Sequence, residues 1–213
     1  MCRICSTIFV PRPRREDTGS LPTVGKSFDR SPEHADHLFI VTGGPGSGKT
    51  SLIEALALEG FRHTPEAGRA IIQDQVTIGG SALPWIDRQA FAELMLTWDL
   101  RSYREASRRA GPVLCDRGIP DVLGYLALCG LDAPAHICRA AELFRYNRTV
   151  FIAPHWPEIF IQDAERKQSM AEARATHQVM TETYAALEYD LVPLPLASVS
   201  ERVSFVRQHI STR

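Results

Sequence analysis

The chain has 213 residues, of which 44% are hydrophobic and 23% are charged, and its formal net charge is -1. This length and composition fit one α/β domain with its own core, and they exclude disordered and fibrous classes. The near-zero charge gives no global field that would attract nucleic acid or an anionic membrane, and we expect no nucleic-acid partner.

Cysteine usage and apolar runs indicate the compartment. The five cysteines are odd in number and irregularly spaced, which argues against the disulfide framework of a secreted protein. No apolar run approaches the ~18 residues needed to cross a bilayer. The stretch from Ile4 to Val10 lacks the longer apolar centre and the cleavage site of a signal peptide. We therefore expect a cytoplasmic protein without a transmembrane segment.

The first 36 residues differ in character from the remainder of the chain. They contain several Pro and Gly, many charges and no lasting periodicity, so we predict a flexible extension over 1–36. The folded domain is predicted over 37–213. The basic segment from Arg12 to Arg15 leaves open a use as a membrane or protein tether.

Short apolar strands alternate with helices along the predicted domain. The helix signals include Asp87 and Asp163 as N-terminal caps and a capping box formed by Ser198 with Glu201. This alternation predicts a parallel sheet covered by helices on both faces. The five predicted strands are 38–41, 61–64, 113–115, 149–153 and 191–194.

The turn after the first strand carries the most specific motif. Gly43-Gly-Pro-Gly-Ser-Gly-Lys-Thr50 fits G-x-x-x-x-G-K-[ST] at every defined position, with an apolar strand before it and an amphipathic helix after it. Such a P-loop turns its N–H groups toward phosphate oxygens at a helix N-terminus. The predicted nucleotide-binding residues are Gly43, Gly44, Pro45, Gly46, Ser47, Gly48, Lys49, Thr50 and Ser51.

Residues at other strand ends supply the remaining chemistry of a phosphoryl transfer. We expect Lys49 to reach the β- and γ-phosphates, and Thr50 with Asp116 to hold Mg²⁺. Glu66 follows the second strand and is the candidate general base for an acceptor hydroxyl. With Glu66, the candidate substrate ligands are Arg69 and Arg117.

The predicted helix after the fourth strand begins with Asp163, Arg166 and Lys167. Small kinases place a mobile lid at this point, and a lid arginine stabilises the charge that develops in transfer. Arg166 is therefore the candidate catalytic arginine, although a solvated arginine at a helix start would have the same sequence.

Other classes of P-loop protein lack support in the sequence. No Asn-Lys-x-Asp tetrapeptide occurs, which a switch GTPase would use to read its base, and no ABC signature loop is found. The third strand ends in Asp116-Arg117 rather than the Asp-Glu pair of an AAA+ motor. A compact domain of the small-kinase type remains.

These motifs together resemble the P-loop "AAA domain" ATPase family related to the kinase part of the NadR proteins. The matching segments are 43–50, 64–69, 71–74, 115–121, 146–147, 150–154 and scattered positions from Trp156 to Pro195. The resemblance implies a three-layer α/β/α P-loop NTPase fold of the nucleoside or nicotinamide-riboside kinase type. Its parallel five-stranded sheet would have the strand order 2-3-1-4-5. One departure is visible: family members tend to have Gly-Tyr where this chain has Glu188-Tyr189.

Two functions follow as hypotheses. The first is a Mg-ATP-dependent phosphotransferase that acts on a small hydroxyl-bearing, nucleoside-like molecule. The second is a nucleotide-dependent binding module or slow NTPase without a small acceptor. A eukaryotic member of the family is described as binding GTP and a phospholipid, so GTP stays an alternative to ATP. The sequence names neither the acceptor nor the oligomeric state.

Overall fold

A computed structural model describes residues 31–157 and 170–211 of the chain. Its strands, in chain order, are β1 (Glu33–Ala35), β2 (Leu38–Gly43), β3 (Arg62–Thr64), β4 (Val113–Asp116), β5 (Phe144–Tyr146), β6 (Thr149–Ala153) and β7 (Asp190–Pro193). The helices are α1 (Lys49–Leu58), α2 (Ala67–Ile78), α3 (Arg88–Ser107), α4 (Ile119–Leu128), α5 (Ala135–Leu143), α6 (Met170–Ala186) and α7 (Val199–Ser211).

Five strands form one sheet in the order β3-β4-β2-β6-β7, and every neighbouring pair is parallel. When these five strands are numbered 1 to 5 in the order in which they occur along the chain, the order across the sheet is 2-3-1-4-5, as the resemblance implied. The carboxyl ends of β2, β3 and β4 therefore meet at one edge of the sheet, where ligands bind in parallel α/β folds.

The pleat of β2 separates two apolar layers. Phe39 and Val41 belong to a buried cluster with residues of α1 and α7. Leu38 and Ile40 belong to the cluster on the opposite face, with residues of α3, α4, α5 and α6. Successive side chains of a strand point to opposite faces, so these two clusters lie on the two sides of the sheet. The predicted three-layer α/β/α fold is confirmed.

A second, two-stranded parallel sheet pairs β1 with β5 and was not predicted. Tyr103 of α3 joins its strands, since its hydroxyl donates to the Glu33 carbonyl at 2.9 Å and to the Arg145 carbonyl at 3.0 Å. The strand β1 thus lies inside the segment 1–36 that was predicted as an extension. Residues 1–30 of that extension lie outside the described residues.

Helix ends follow the capping signals of the sequence. The Asp87 carboxylate accepts from the Ala90 N–H at 2.9 Å and opens α3. The Ser198 hydroxyl and N–H donate to the Glu201 carboxylate at 2.6 and 2.9 Å, ahead of α7. Asp163, the predicted start of the long sixth helix, lies outside the described residues, whereas the helix itself is present as α6. Along the described ranges, every helix is too short or too polar to cross a bilayer.

Candidate functional site

The phosphate-binding motif forms the turn between β2 and α1. Gly46 and Gly48 adopt left-handed conformations with φ of 68° and 74°, which cost glycine little. Gly48 is the N-terminal cap of α1, and the helix begins at Lys49. The motif therefore ends on the positive end of a helix axis, which favours a bound anion.

The Lys49 ammonium lies inside the curve of this loop. Its Nζ donates to the Gly44 carbonyl at 2.7 Å and to the Gly43 carbonyl at 3.1 Å, and the residue is 5% exposed. Ser47 closes the same turn by donating its hydroxyl to the Gly44 carbonyl at 2.7 Å. The loop thus encloses one cation, while Thr50 and Ser51 stand exposed at the start of α1.

Asp116 ends β4 beside this loop. Its register partner is Val41, two residues before the loop begins, and the residue is 8% exposed. Burial raises the pKa of the Asp116 carboxyl, while the nearby Lys49 ammonium opposes the shift. The Oδ1 atom is buried and has no hydrogen-bond partner within residues 31–157 and 170–211. A buried carboxylate oxygen without a partner needs a cation or a water to satisfy it.

This orphaned oxygen provides the test of whether the site suits magnesium. Mg²⁺ prefers hard oxygen ligands and is usually held by one or two protein groups together with phosphates and waters. The Asp116 carboxylate and the Thr50 hydroxyl are donors of that kind. Across 31–157 and 170–211, no three His, Cys, Asp or Glu side chains cluster as an all-protein metal cage would require. The donor set therefore fits Mg²⁺ bound together with a nucleotide.

Glu66 and Arg117 form an ion pair at the same sheet edge. Glu66 lies two residues beyond β3 and is the N-terminal cap residue of α2. The Arg117 Nε donates to Glu66 Oε1 at 3.1 Å, with the two side chains 18% and 17% exposed. Arg117 Nη1 donates at 3.1 Å to a second carboxylate, that of Asp121. Arg117 was predicted as a substrate ligand, and its charge is already balanced by these two acids.

Asp121 was not identified from the sequence. Both of its oxygens accept hydrogen bonds: Oδ1 from Thr42 at 2.6 Å, and Oδ2 from Tyr184 at 2.5 Å and from the Gly118 N–H at 3.1 Å. These donors come from β2, α6 and the turn after β4. Asp121 thus joins three elements and orients Arg117, a role that needs contacts distant in sequence.

Asp99 is a second acid that sequence reasoning missed. It lies on the inner face of α3 and is 7% exposed. Burial raises the pKa of Asp99 well above its ordinary value, as does the nearby charge of Asp121, while Arg117 lowers it.

Two other site residues were predicted from the sequence, Arg69 and Arg166. Arg69 is exposed on the first turn of α2, and Arg166 lies outside the described residues.

Solved structures of similar fold include two structures of deoxyadenosine kinase from M. mycoides and one of NadR. The kinase with dCMP and a flexible dCDP bound has a TM-score of 0.60 at 11% identity, covering 83% of this chain and 100% of that chain. Its dATP-bound structure has a TM-score of 0.57 at 11% identity, covering 82% and 99%. NadR in complex with NR has a TM-score of 0.59 at 18% identity and covers 84% of this chain, which spans only 53% of NadR.

Identities this low establish a shared fold and no more. No curated protein matches the chain. A family model described as "AAA domain" matches residues 38–202, which include the P-loop, the Asp116-Arg117 pair and the first turn of α7. That match extends over well more than half of the chain. The protein therefore belongs to the AAA domain family of P-loop proteins, with a kinase-like fold related to that of NadR.

Proposed function

We propose that the protein is a Mg-ATP-dependent phosphotransferase acting on a small hydroxyl-bearing, nucleoside-like acceptor. The main support is one edge of the sheet, which combines the P-loop Lys49, the buried Asp116 carboxylate, whose Oδ1 has no partner in the described part of the chain, and the Glu66–Arg117 ion pair. A phosphate cradle, a magnesium ligand and a carboxylate able to take a proton are the groups that a small kinase needs.

On the donor side, Lys49 and the loop N–H groups would bind the phosphates. Thr50 and Asp116 would hold Mg²⁺, which when bound neutralises charge on the β- and γ-phosphate oxygens. Arg166 is proposed to add a further positive charge during transfer. Each of these groups lowers the energy of the developing negative charge more than that of the bound substrate.

On the acceptor side, Glu66 would orient the hydroxyl and accept its proton. The acceptor oxygen forms a bond to the γ-phosphorus, the bond from this phosphorus to the β-phosphate bridging oxygen breaks, and ADP leaves. The ion pair with Arg117 fixes the position of the Glu66 carboxylate at this edge of the sheet. Because the transition state of phosphoryl transfer is loose, positioning by Glu66 matters as much as its basicity.

The nucleoside-like acceptor is inferred from similar folds and from the charges of the crevice. Similar folds include a deoxyadenosine kinase and an NadR structure in complex with NR. In this chain the crevice carries several carboxyl groups, and its arginine is already paired with two of them. Carboxylates bind hydroxyl groups readily and repel anions, so a neutral or cationic polyol suits this crevice.

The test is acceptor-dependent formation of ADP. The full-length protein is incubated with Mg-ATP, and in parallel with Mg-GTP, against a panel of nucleosides, sugars and vitamins. The proposal predicts that at least one acceptor raises ADP production well above the basal rate. Only slow hydrolysis that no acceptor accelerates would refute it in favour of a nucleotide-dependent module or slow NTPase.

Glu66→Gln then tests the assignment of the base. The amide keeps an oxygen for Arg117 but cannot take the proton, so we expect acceptor-dependent turnover to fall by ~10²-fold or more while Mg-ATP affinity is kept. Glu54→Gln is the matched control, since Glu54 is an exposed carboxylate of α1. Turnover within a few-fold of wild type in Glu66→Gln would contradict the role of Glu66 as general base.

A further inference from the structure

Arg202 of α7 is a fully enclosed cation behind the P-loop. The residue is 2% exposed. Its Nη1 donates to the Ser47 carbonyl at 3.2 Å and, more weakly, to the Gly48 carbonyl at 3.5 Å. These carbonyls belong to the two residues that precede Lys49 in the phosphate-binding loop. Because the C=O and N–H of a trans peptide point in opposite directions, the guanidinium contacts the loop on the side opposite to the N–H groups of these peptide units.

Among residues 31–157 and 170–211, no acid balances the charge of Arg202. Its Nε and Nη2 atoms are buried and have no hydrogen-bond partner, and no carboxylate pairs with it among the described residues. The remaining contact is with the Trp156 ring, whose centroid lies 5.8 Å from the guanidinium carbon, near the limit of a cation–π interaction. Burial also lowers the pKa of Arg202. A buried charge without a counter-ion lowers the stability of the folded state, so folding stability does not account for an arginine at this position.

Hydrogen bonds to the loop carbonyls would strengthen its phosphate contacts. A donor at a carbonyl oxygen polarises the peptide unit, so that the N–H of the same unit becomes a better donor. The units that Arg202 contacts carry the N–H groups of Gly48 and Lys49. Both lie at the start of α1, where the helix dipole also favours an anion. The missing counter-charge and the polarised donors point to the same ligand.

We propose that Arg202 is a positioning residue of the phosphate site, which holds the P-loop from behind and finds its counter-charge in the polyphosphate of a bound nucleotide. The inference rests on the nucleotide-binding part of the proposed function and not on phosphoryl transfer. In the nucleotide-free protein the enclosed charge opposes folding. In the complex the same charge favours binding, in proportion to the negative charge of the ligand.

Arg202→Met tests this coupling because it keeps an unbranched apolar stem and removes the guanidinium with its charge. Calorimetry on the full-length protein would measure the affinities for Mg-ATP, Mg-ADP, inorganic triphosphate and adenosine. We expect affinity for Mg-ATP and triphosphate to fall about tenfold, the scale of one charge-assisted hydrogen bond. The loss should be smaller for Mg-ADP and absent for adenosine. The nucleotide-free melting temperature should be unchanged or raised.

Two further variants separate this role from a structural one. Arg202→Lys keeps the charge and should recover part of the lost triphosphate affinity. Arg207→Met, on the same helix, removes an exposed arginine that pairs with Glu59 at 2.9 Å, and should leave all four affinities unchanged.

Three outcomes would overturn the inference. The first is an Arg202→Met protein that melts at a lower temperature without nucleotide and loses affinity equally for Mg-ATP and adenosine. The second is an Arg202→Met protein with wild-type affinity for triphosphate. The third is a wild-type protein that binds neither Mg-ATP, Mg-ADP nor triphosphate. A protein that binds these ligands in the expected way but phosphorylates no acceptor would refute the proposed function and leave the role of Arg202 intact.

Discussion

Arg117 has an unusual backbone for its residue type. Its φ of 71° is in the left-handed region, which non-glycine residues adopt at a cost and which is enriched at functional sites. Its N–H donates to the Val41 carbonyl at 3.1 Å, so a backbone hydrogen bond joins this strained residue to β2, the strand that leads into the P-loop. Burial alone would lower the pKa of Arg117, but Glu66 and Asp121 outweigh it and raise the pKa. Arg117 therefore stays charged and links Glu66, the candidate base, to the sheet.

Lys49→Met tests the phosphate assignment at a single side chain. The ammonium is enclosed by the Gly43 and Gly44 carbonyls, so the variant removes the cation from the centre of the loop. We expect Mg-ATP affinity to fall by about tenfold or more, because contacts between a charged donor and phosphate are among the stronger hydrogen bonds. Calorimetry measures the loss, and Arg108→Met, at an exposed position after α3, is the control. Tight Mg-ATP binding by Lys49→Met would contradict the assignment.

At the scale of elements, α6 ends in a turn that its sequence does not suit. Glu188 has φ of 62°, while its N–H and that of Tyr189 donate to the Ala185 and Tyr184 carbonyls at 3.0 and 3.1 Å. This is the hydrogen bonding of a helix end that normally takes glycine. The departure seen in the sequence, Glu188-Tyr189 where related chains tend to have Gly-Tyr, therefore falls on a residue in a left-handed conformation.

Glu188→Gly should accordingly stabilise the protein. Relief of the left-handed strain is worth about 1 kcal/mol, and the exposed Glu188 side chain makes no hydrogen bond that would be lost within the described structure. Urea unfolding measures the change in the free energy of unfolding. Glu182→Gly is the matched control within α6 and should lower that free energy by about 1 kcal/mol, because glycine is unfavourable inside a helix. A Glu188→Gly variant no more stable than wild type would contradict the strain argument.

Elements marked by contacts between residues close in sequence were predictable, and elements that depend on partners distant in sequence were not. Asp87 opens α3 with a contact three residues away, and the Ser198–Glu201 box does the same for α7. In contrast, β1 and β5 have three residues each and pair across more than 100 positions of sequence. Neither strand is long enough to show an alternating pattern of its own.

The same distinction applies to the site. Lys49 and Asp116 were predictable because a motif or a strand end marks them. Asp121, Asp99 and Arg202 are charged residues on helices, where a sequence pattern normally indicates a solvated face. Their burial is decided by which helix packs against which, so it became visible only in the folded molecule.

At the scale of the whole molecule, acids are concentrated in one crevice of a nearly neutral protein. The formal net charge is only -1, yet Glu66, Asp99, Asp116 and Asp121 gather at the carboxyl edge of the sheet, near Lys49 and Arg117. Like charges in a buried space raise the energy of the folded state unless some of the groups bind protons. The stability of the molecule should therefore depend on pH through this crevice.

The dependence of folding stability on pH can be tested at a single residue, Asp99. Its pKa is raised well above 3.8 in the folded protein, first by burial and then by nearby charge, so the folded state holds the proton more tightly than the unfolded chain does. The free energy of unfolding must then fall as pH rises from about 4 through the raised pKa, and the slope vanishes above it. The ionisable neighbours that face Asp99 are Glu66, Cys115, Asp116, Arg117, Asp121 and Tyr146.

Asp99→Asn removes this titration while preserving the shape of the side chain. We expect the variant to equal or exceed the wild type in stability, with an advantage that grows as pH rises from about 4 through the raised pKa of Asp99, because only in the wild type is the unfolded chain stabilised by releasing this proton. Urea unfolding of the nucleotide-free protein at several pH values measures the gap. Asp74→Asn, at an exposed carboxylate of α2, should give a curve parallel to that of the wild type. A gap between Asp99→Asn and wild type that stays constant or narrows with rising pH would show that Asp99 does not titrate as its surroundings imply.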